Sequence, residues 1–239
     1  MLYLKKIFDE LAFGQFSGLA VGNSSNGSIK QDQYPKIISI LNSALLDIYT
    51  RFPLRRKEFD LYQRAGVETY YIRPDNVGET DIGDPDIYID GSEDKAIDGD
   101  IIKPIKAYDA DGEEVFINNN AYPEDIFMPQ YDIIKINERD PLEVFSIVYQ
   151  ASYPEIEMEE GFNPATYELY FPRYITQALL ANIASRIFIG KTSNAIEGQP
   201  TLSNTFIYKY EAEMARIDDL NLVLEIEEAD ERFDDGGWA

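Results

Sequence analysis

A chain of 239 residues with 44 acidic side chains, 21 basic ones, no histidine and no cysteine carries a formal charge of −23 at neutral pH. The two missing residue types exclude a Ser-His-Asp or Cys-His triad, a histidine general base, a disulfide scaffold and a Cys/His zinc site. Carboxylate chemistry, oxygen-ligand metals and Lys or Tyr mechanisms stay open, while the acid excess argues against a phosphate-binding clamp built on Lys and Arg.

The opening run MLYLKKIFDELAFGQF reads as neither signal peptide nor membrane span, because Asp9 and Glu10 interrupt its apolar residues. GNSSNGS at 22–28 follows as a polar linker that would let residues 1–20 dock separately. Tyr34 and Pro35 then open a predicted helix through Arg51 with one apolar stripe, Ile37, Ile38, Leu41, Ala44, Leu45, Ile48 and Phe52, stopped by Pro53. Arg55, Arg56 and Lys57 come next, the only dense basic cluster, which offsets local acid or faces an acidic surface of a neighbouring chain.

From 58 to 149 the apolar period changes to two. KEFDLYQRAGVETYYI holds two alternating runs around Gln63 to Gly66, and IIKPIKAYDADGEEVFIN predicts a hairpin at Asp111-Gly112. YDIIKIN and LEVFSIVYQ, parted by 138–141, read as a further hairpin. Residues 74–100 read as a long acidic loop with a short strand at 87–89. Its Asp81, Asp84, Asp86 and Asp90 suit a hard cation or a solvated turn-rich loop, the latter being the plainer reading. DADGEE fails as a calcium loop, since placing Gly112 at the sixth position puts Ala107 first and Asn118 twelfth. A glycosidase-like carboxylate pair cannot be picked from 44 acids, and the 17 Tyr and 13 Phe fall mostly at strand or stripe positions where burial explains them.

The stretch 167–189 predicts a helix started by Pro172, with Phe171, Ile175, Ala178, Leu179, Ile183 and Ile187 on one face. A loop with Gly198 and Pro200 leads to a second helix at 204–220, with Ile207, Tyr210, Met214 and Ile217 as its stripe. Residues 225–239 form an acidic tail in which Trp238, after Gly236 and Gly237, suits ordering on a partner.

The order of these segments resembles the head-to-tail adaptors of short-tailed bacteriophages, also called tail tubular protein A or connector proteins. IISILNSALLDIYTRFPLRRKEFDLY, VETYYI, IKAYDADGEEVFIN, YDIIKIN, FSIVYQASYPEI, LLANIASRIF, YKYEAEMARI and RFDDGGWA carry the resemblance over residues 34–239. Residues 75–100 and the first 20 have no counterpart in it.

The resemblance implies an α+β fold: a helical bundle built from an N-terminal helix and a C-terminal helical hairpin, with an inserted antiparallel β-region and an extended C-terminal tail. The expected domains are 1–33, a helical core of 34–57 plus 165–224, the β-region 58–164 and the tail 225–239. It further implies a non-enzymatic virion protein at the portal-tail junction, present in the host cytoplasm during assembly, forming a ring, expected to be dodecameric, between the portal protein and a downstream tail or nozzle protein. DNA would pass its channel without sequence-specific binding, and no cofactor, metal or membrane is expected. Arg55, Arg56 and Lys57 are the expected contacts between protomers, and Phe233 and Trp238 those with the portal. Two other readings remain: a carbohydrate-binding or glycan-cleaving virion module, and a non-viral scaffold.

Overall fold

The computed structural model describes residues 2–15, 29–79, 84, 86–92, 97–119, 126–137, 143–189 and 202–223. In chain order these form β1 (Leu2–Tyr3), α1 (Leu4–Glu10), α2 (Tyr34–Arg51), β2 (Arg56–Tyr62), β3 (Thr69–Tyr71), β4 (Val77–Gly78), β5 (Ile89–Asp90) and β6 (Ile101–Tyr108). They continue with β7 (Glu114–Val115), β8 (Phe127–Gln130), β9 (Ile133–Lys135), β10 (Val144–Ala151), β11 (Glu168–Leu169), α3 (Thr176–Ile189) and α4 (Leu202–Asp219). Two compact units result, Met1–Ile48 with Glu155–Ala239, and Tyr49–Pro154.

The expected helical bundle with an antiparallel insert is overturned. The chain is a sheet-rich mixed α/β protein with a six-stranded mixed sheet and four α-helices among the described residues. The helices carry the stripes that their periodicity announces, but a stripe states only that one face is covered, not that helices cover it.

In the first unit, α3 is the central element: every residue from 178 to 185 is buried. It begins at Thr176, after a 3-10 turn at Arg173–Ile175, because Pro172 is extended (ψ 133) and disfavours helix at Phe171; residues 168–169 are strand instead. α4 lies along α3 with Tyr210, Met214 and Ile217 buried, Ser203 Oγ donating to Ser185 O at 3.2 Å and Phe206 stacked on Phe188 at 5.2 Å. Ile207, placed in that stripe by the sequence, is exposed. α2 buries its predicted stripe and meets α3 through polar groups: Asn182 Nδ2 donates to Asp47 Oδ2 at 2.7 Å, and Arg186 Nη2 pairs with the same oxygen at 3.6 Å.

The N-terminal residues are built into this unit rather than docking apart. β1 pairs antiparallel with β11, Leu4 N–H donates to Tyr167 O at 2.9 Å, and Leu2, Leu4, Ile7, Phe8 and Leu11 are buried. The linker at 22–28 and most of the loop at 190–203 lie outside the described residues.

The second unit holds the sheet core. Its large sheet runs β4-β5-β2-β10-β6-β7, antiparallel except for the parallel pair β4–β5, and its small sheet runs β3-β9-β8. Phe59, Leu61, Tyr70, Ile134, Phe145, Ile147 and Tyr149 are wholly buried in it. One expected pairing changes, and the two alternating runs at 58–72 separate. β2 and β3 belong to different sheets, and β9 pairs with β3 and β8 while β10 pairs with β2 and β6, so YDIIKIN and LEVFSIVYQ are not a hairpin. Alternation marks a strand's two faces but not its neighbour.

The stretch 74–100 is likewise more than a solvated loop. It supplies β4 and β5 at the sheet edge and buries Tyr88, Ile89 and Ile97. β6 and β7 form a hairpin closed at Gly112 (φ 84), with Asp109 Oδ1 accepting from the N–H groups of Asp111 and Glu113.

Candidate functional site

The basic triplet sits at the start of β2, where register places Lys57 opposite Tyr149 and Arg56 opposite Gln150. Arg55 Nη1 donates to Asp100 Oδ2 at 3.2 Å and to Ser152 O at 2.9 Å; Lys57 Nζ donates to the same Oδ2 at 3.2 Å, and Tyr149 Oη to Oδ1 at 3.1 Å. The Asp100 side chain is 10% exposed, a degree of burial at which an anion needs its counter-ions close. Burial first, then the charge and hydrogen bond of Asp100, push the Tyr149 phenol up, so it stays protonated and keeps donating to Asp100. Burial lowers the Arg56 guanidinium pKa. Arg55 and Lys57 thus hold Asp100 within their own unit. Phe233 and Trp238 lie outside the described residues.

A second surface, which the sequence reading missed, is the outer face of the small sheet. Tyr70 and Ile134, register partners, point into the core, so Tyr71, Ile133, Lys135 and Phe127 in the adjacent rows point out. Tyr71, Phe127 and the turn residue Tyr131 are 42%, 52% and 66% exposed, against the expectation that strand aromatics are buried. The Arg73 guanidinium stacks 4.9 Å from the Tyr71 ring centroid while Nη2 pairs with Asp132 Oδ2 at 3.1 Å. Lys135 makes no ion pair among the described residues. The clue was available: Tyr71 and Lys135 are one step out of phase with Tyr70 and Ile134.

Both edges of this sheet are closed by side chains. On β3, Tyr88 Oη accepts from Tyr71 N at 2.6 Å and donates to Tyr71 O at 3.0 Å. On β8, Asn118 Oδ1 accepts from Met128 N at 2.7 Å and Asn118 Nδ2 donates to Met128 O at 3.2 Å, while Pro129 has no N–H to offer. An added strand finds no free ladder there.

The first unit contributes a third feature, an open acidic cleft of about 420 Å³ lined by Glu155, Glu157, Glu159, Glu160, Phe162 and Tyr167 among others. Asn42 fixes its start, its amide accepting from Ile156 N and donating to Ile156 O, both at 3.1 Å. Burial, then the Glu157 charge, raise the Tyr167 phenol pKa. No Lys or Arg among the described residues pairs with these four glutamates.

Among the described residues no group of acidic side chains is placed to hold a metal ion; Asp84 and Asp90 instead accept from the N–H groups of Asp86 and Ser92. Nor is any described helix long and apolar enough to cross a membrane. No protein-family model matches the chain, and no curated protein matches its sequence.

Proposed function

We propose that this chain is a structural virion protein, a head-to-tail adaptor that forms a ring between the portal protein and the tail around the DNA channel, for genome retention and ejection. The observation that carries the reading is the α3/α4 pair: α3 is buried from 178 to 185 and α4 is covered along one stripe, which leaves Tyr208, Lys209, Ala212 and Asp219 exposed. A helix held this way presents a long polar face to neighbours. The ordered resemblance over 34–239 supports the reading, as does a charge of −23, which suits a channel that DNA crosses without adhering.

With Arg55 and Lys57 engaged by Asp100, contacts between copies are to be sought at charges that have no partner in their own unit. Phe233 and Trp238 remain the proposed portal contacts. Negative-stain imaging of the protein alone and with the portal protein of its source tests the reading. A ring with a central hole stacked on the portal is expected, and deletion of 225–239 is expected to abolish stacking while leaving the fold intact. Monomers that ignore the portal would overturn it.

A further inference from the structure

We infer that the outer face of the small sheet docks a second copy of this chain, receiving the acidic cleft at 155–167 of that copy. The inference rests on the ring-forming role proposed above and names the surfaces that would make the contact.

The edges of the sheet exclude one mode of binding. Tyr88 occupies both outward backbone groups of Tyr71, and Asn118 both of Met128. Strand addition is the usual way to use a small exposed sheet, and it is blocked on both sides. A partner must therefore meet the face.

That face carries aromatic side chains left in water and an arginine, both enriched at interfaces, with Lys135 beside them. Tyr71, Phe127 and Tyr131 are exposed. Lys135 has no ion pair among the described residues, and Arg73, 54% exposed at its side chain, lies 4.9 Å from the Tyr71 ring centroid while pairing with Asp132 at 3.1 Å, so Lys135 is the face's unanswered cation. In a chain of net charge −23 this is a place where another copy meets attraction rather than repulsion.

The cleft is its complement in charge and in texture. Glu157, Glu159 and Glu160 have no cation partner among the described residues, and Phe162 and Tyr167, ring centroids 5.5 Å apart, supply an apolar wall. Each copy carries one basic aromatic face and one acidic cleft. Joining unlike patches is a heterologous contact, which repeats from copy to copy until it closes into a ring.

The experiment uses two full-length variants, R73E/K135E for the face and E157K/E159K for the cleft, followed by mass photometry with and without the portal. Each is expected to raise the concentration for half-assembly on the order of 100-fold, since like charges then oppose each other across the contact. Mixed, the two restore both contacts, unaltered face on unaltered cleft and reversed face on reversed cleft, so an alternating ring forms although neither variant assembles alone. A chain carrying all four substitutions regains the ring, which separates a broken contact from a broken fold.

Assembly of both variants at the wild-type concentration would overturn the inference and leave the adaptor reading standing. Wild-type protein that stays monomeric with the portal present would overturn both. Binding of an oligosaccharide from a glycan array, lost in Y71A/F127A while R73E/K135E still assembles, would reassign the face to a glycan.

Discussion

The hydroxyl of Tyr88 satisfies both outward backbone groups of Tyr71, accepting from its N–H at 2.6 Å and donating to its carbonyl at 3.0 Å. One phenol thus takes the place of a neighbouring strand on β3. Tyr88→Phe keeps the ring, which meets Tyr70 edge-on at 5.0 Å, and removes only the bonds. Urea denaturation is expected to show a loss of about 1–3 kcal/mol, the penalty for two unsatisfied backbone groups. Tyr131→Phe, at an exposed turn, serves as the control and leaves the midpoint unchanged.

Asn118 performs the same task on β8 from a left-handed backbone, φ 56. Asn118→Gly loses the amide and tolerates the backbone, whereas Asn118→Ala loses the amide and strains the backbone. The alanine variant is expected to be less stable than the glycine variant by about 1 kcal/mol, read from their denaturation midpoints. Equal stability would show that the positive φ relaxes in the variant.

Gly91 approaches Gly78 so closely that a Cβ on it would lie 2.9 Å from the Gly78 Cα, with Gly91 N–H bonded to Gly78 O at 2.9 Å. Backbone cannot yield as a side chain does, so Gly91→Ala is expected to cost about 1–3 kcal/mol by overpacking. At Gly78 the new Cβ would meet only the Ile87 side chain, at 3.1 Å, and Gly78→Ala is expected to cost less, both variants being read by thermal melts.

The Tyr149 phenol is raised above its ordinary value by burial and by Asp100. An unfolded tyrosine ionises near pH ~10. The stabilisation is therefore present in full below that pH and is lost as pH rises from there toward the folded value, because the unfolded chain releases the proton first. Stability measured from pH 8 to 12 is expected to fall less steeply in Tyr149→Phe than in the wild type. Parallel slopes would show that the other tyrosines dominate alkaline unfolding.

Much of the local structure was legible because it is written in near-neighbour chemistry. Tyr34 to Arg51 is helix with the expected stripe buried, since Pro35 suits a first turn and Pro53 stops the run. Asp109, Asp111 and Gly112 make a turn because a short carboxylate and a positive φ suffice for one. The absence of histidine and cysteine removed whole classes of chemistry before any fold was known.

What the sequence alone determined, then, was α2, most of α3 and α4 and the alternation of the longer strands; the tertiary structure alone decided their neighbours, the strand at 168–169 and the exposure of Ile207. YDIIKIN and LEVFSIVYQ alternate alike, yet β9 and β10 lie in different sheets, because strand partners are chosen by packing over the whole unit. The bonds Tyr88 to Tyr71, Asn118 to Met128 and Asn42 to Ile156 span 17, 10 and 114 positions, distances at which sequence pattern carries no information. The same holds for the candidate surfaces: Lys135 and Glu157 read as ordinary polar positions until the fold shows which charges are answered within their own unit.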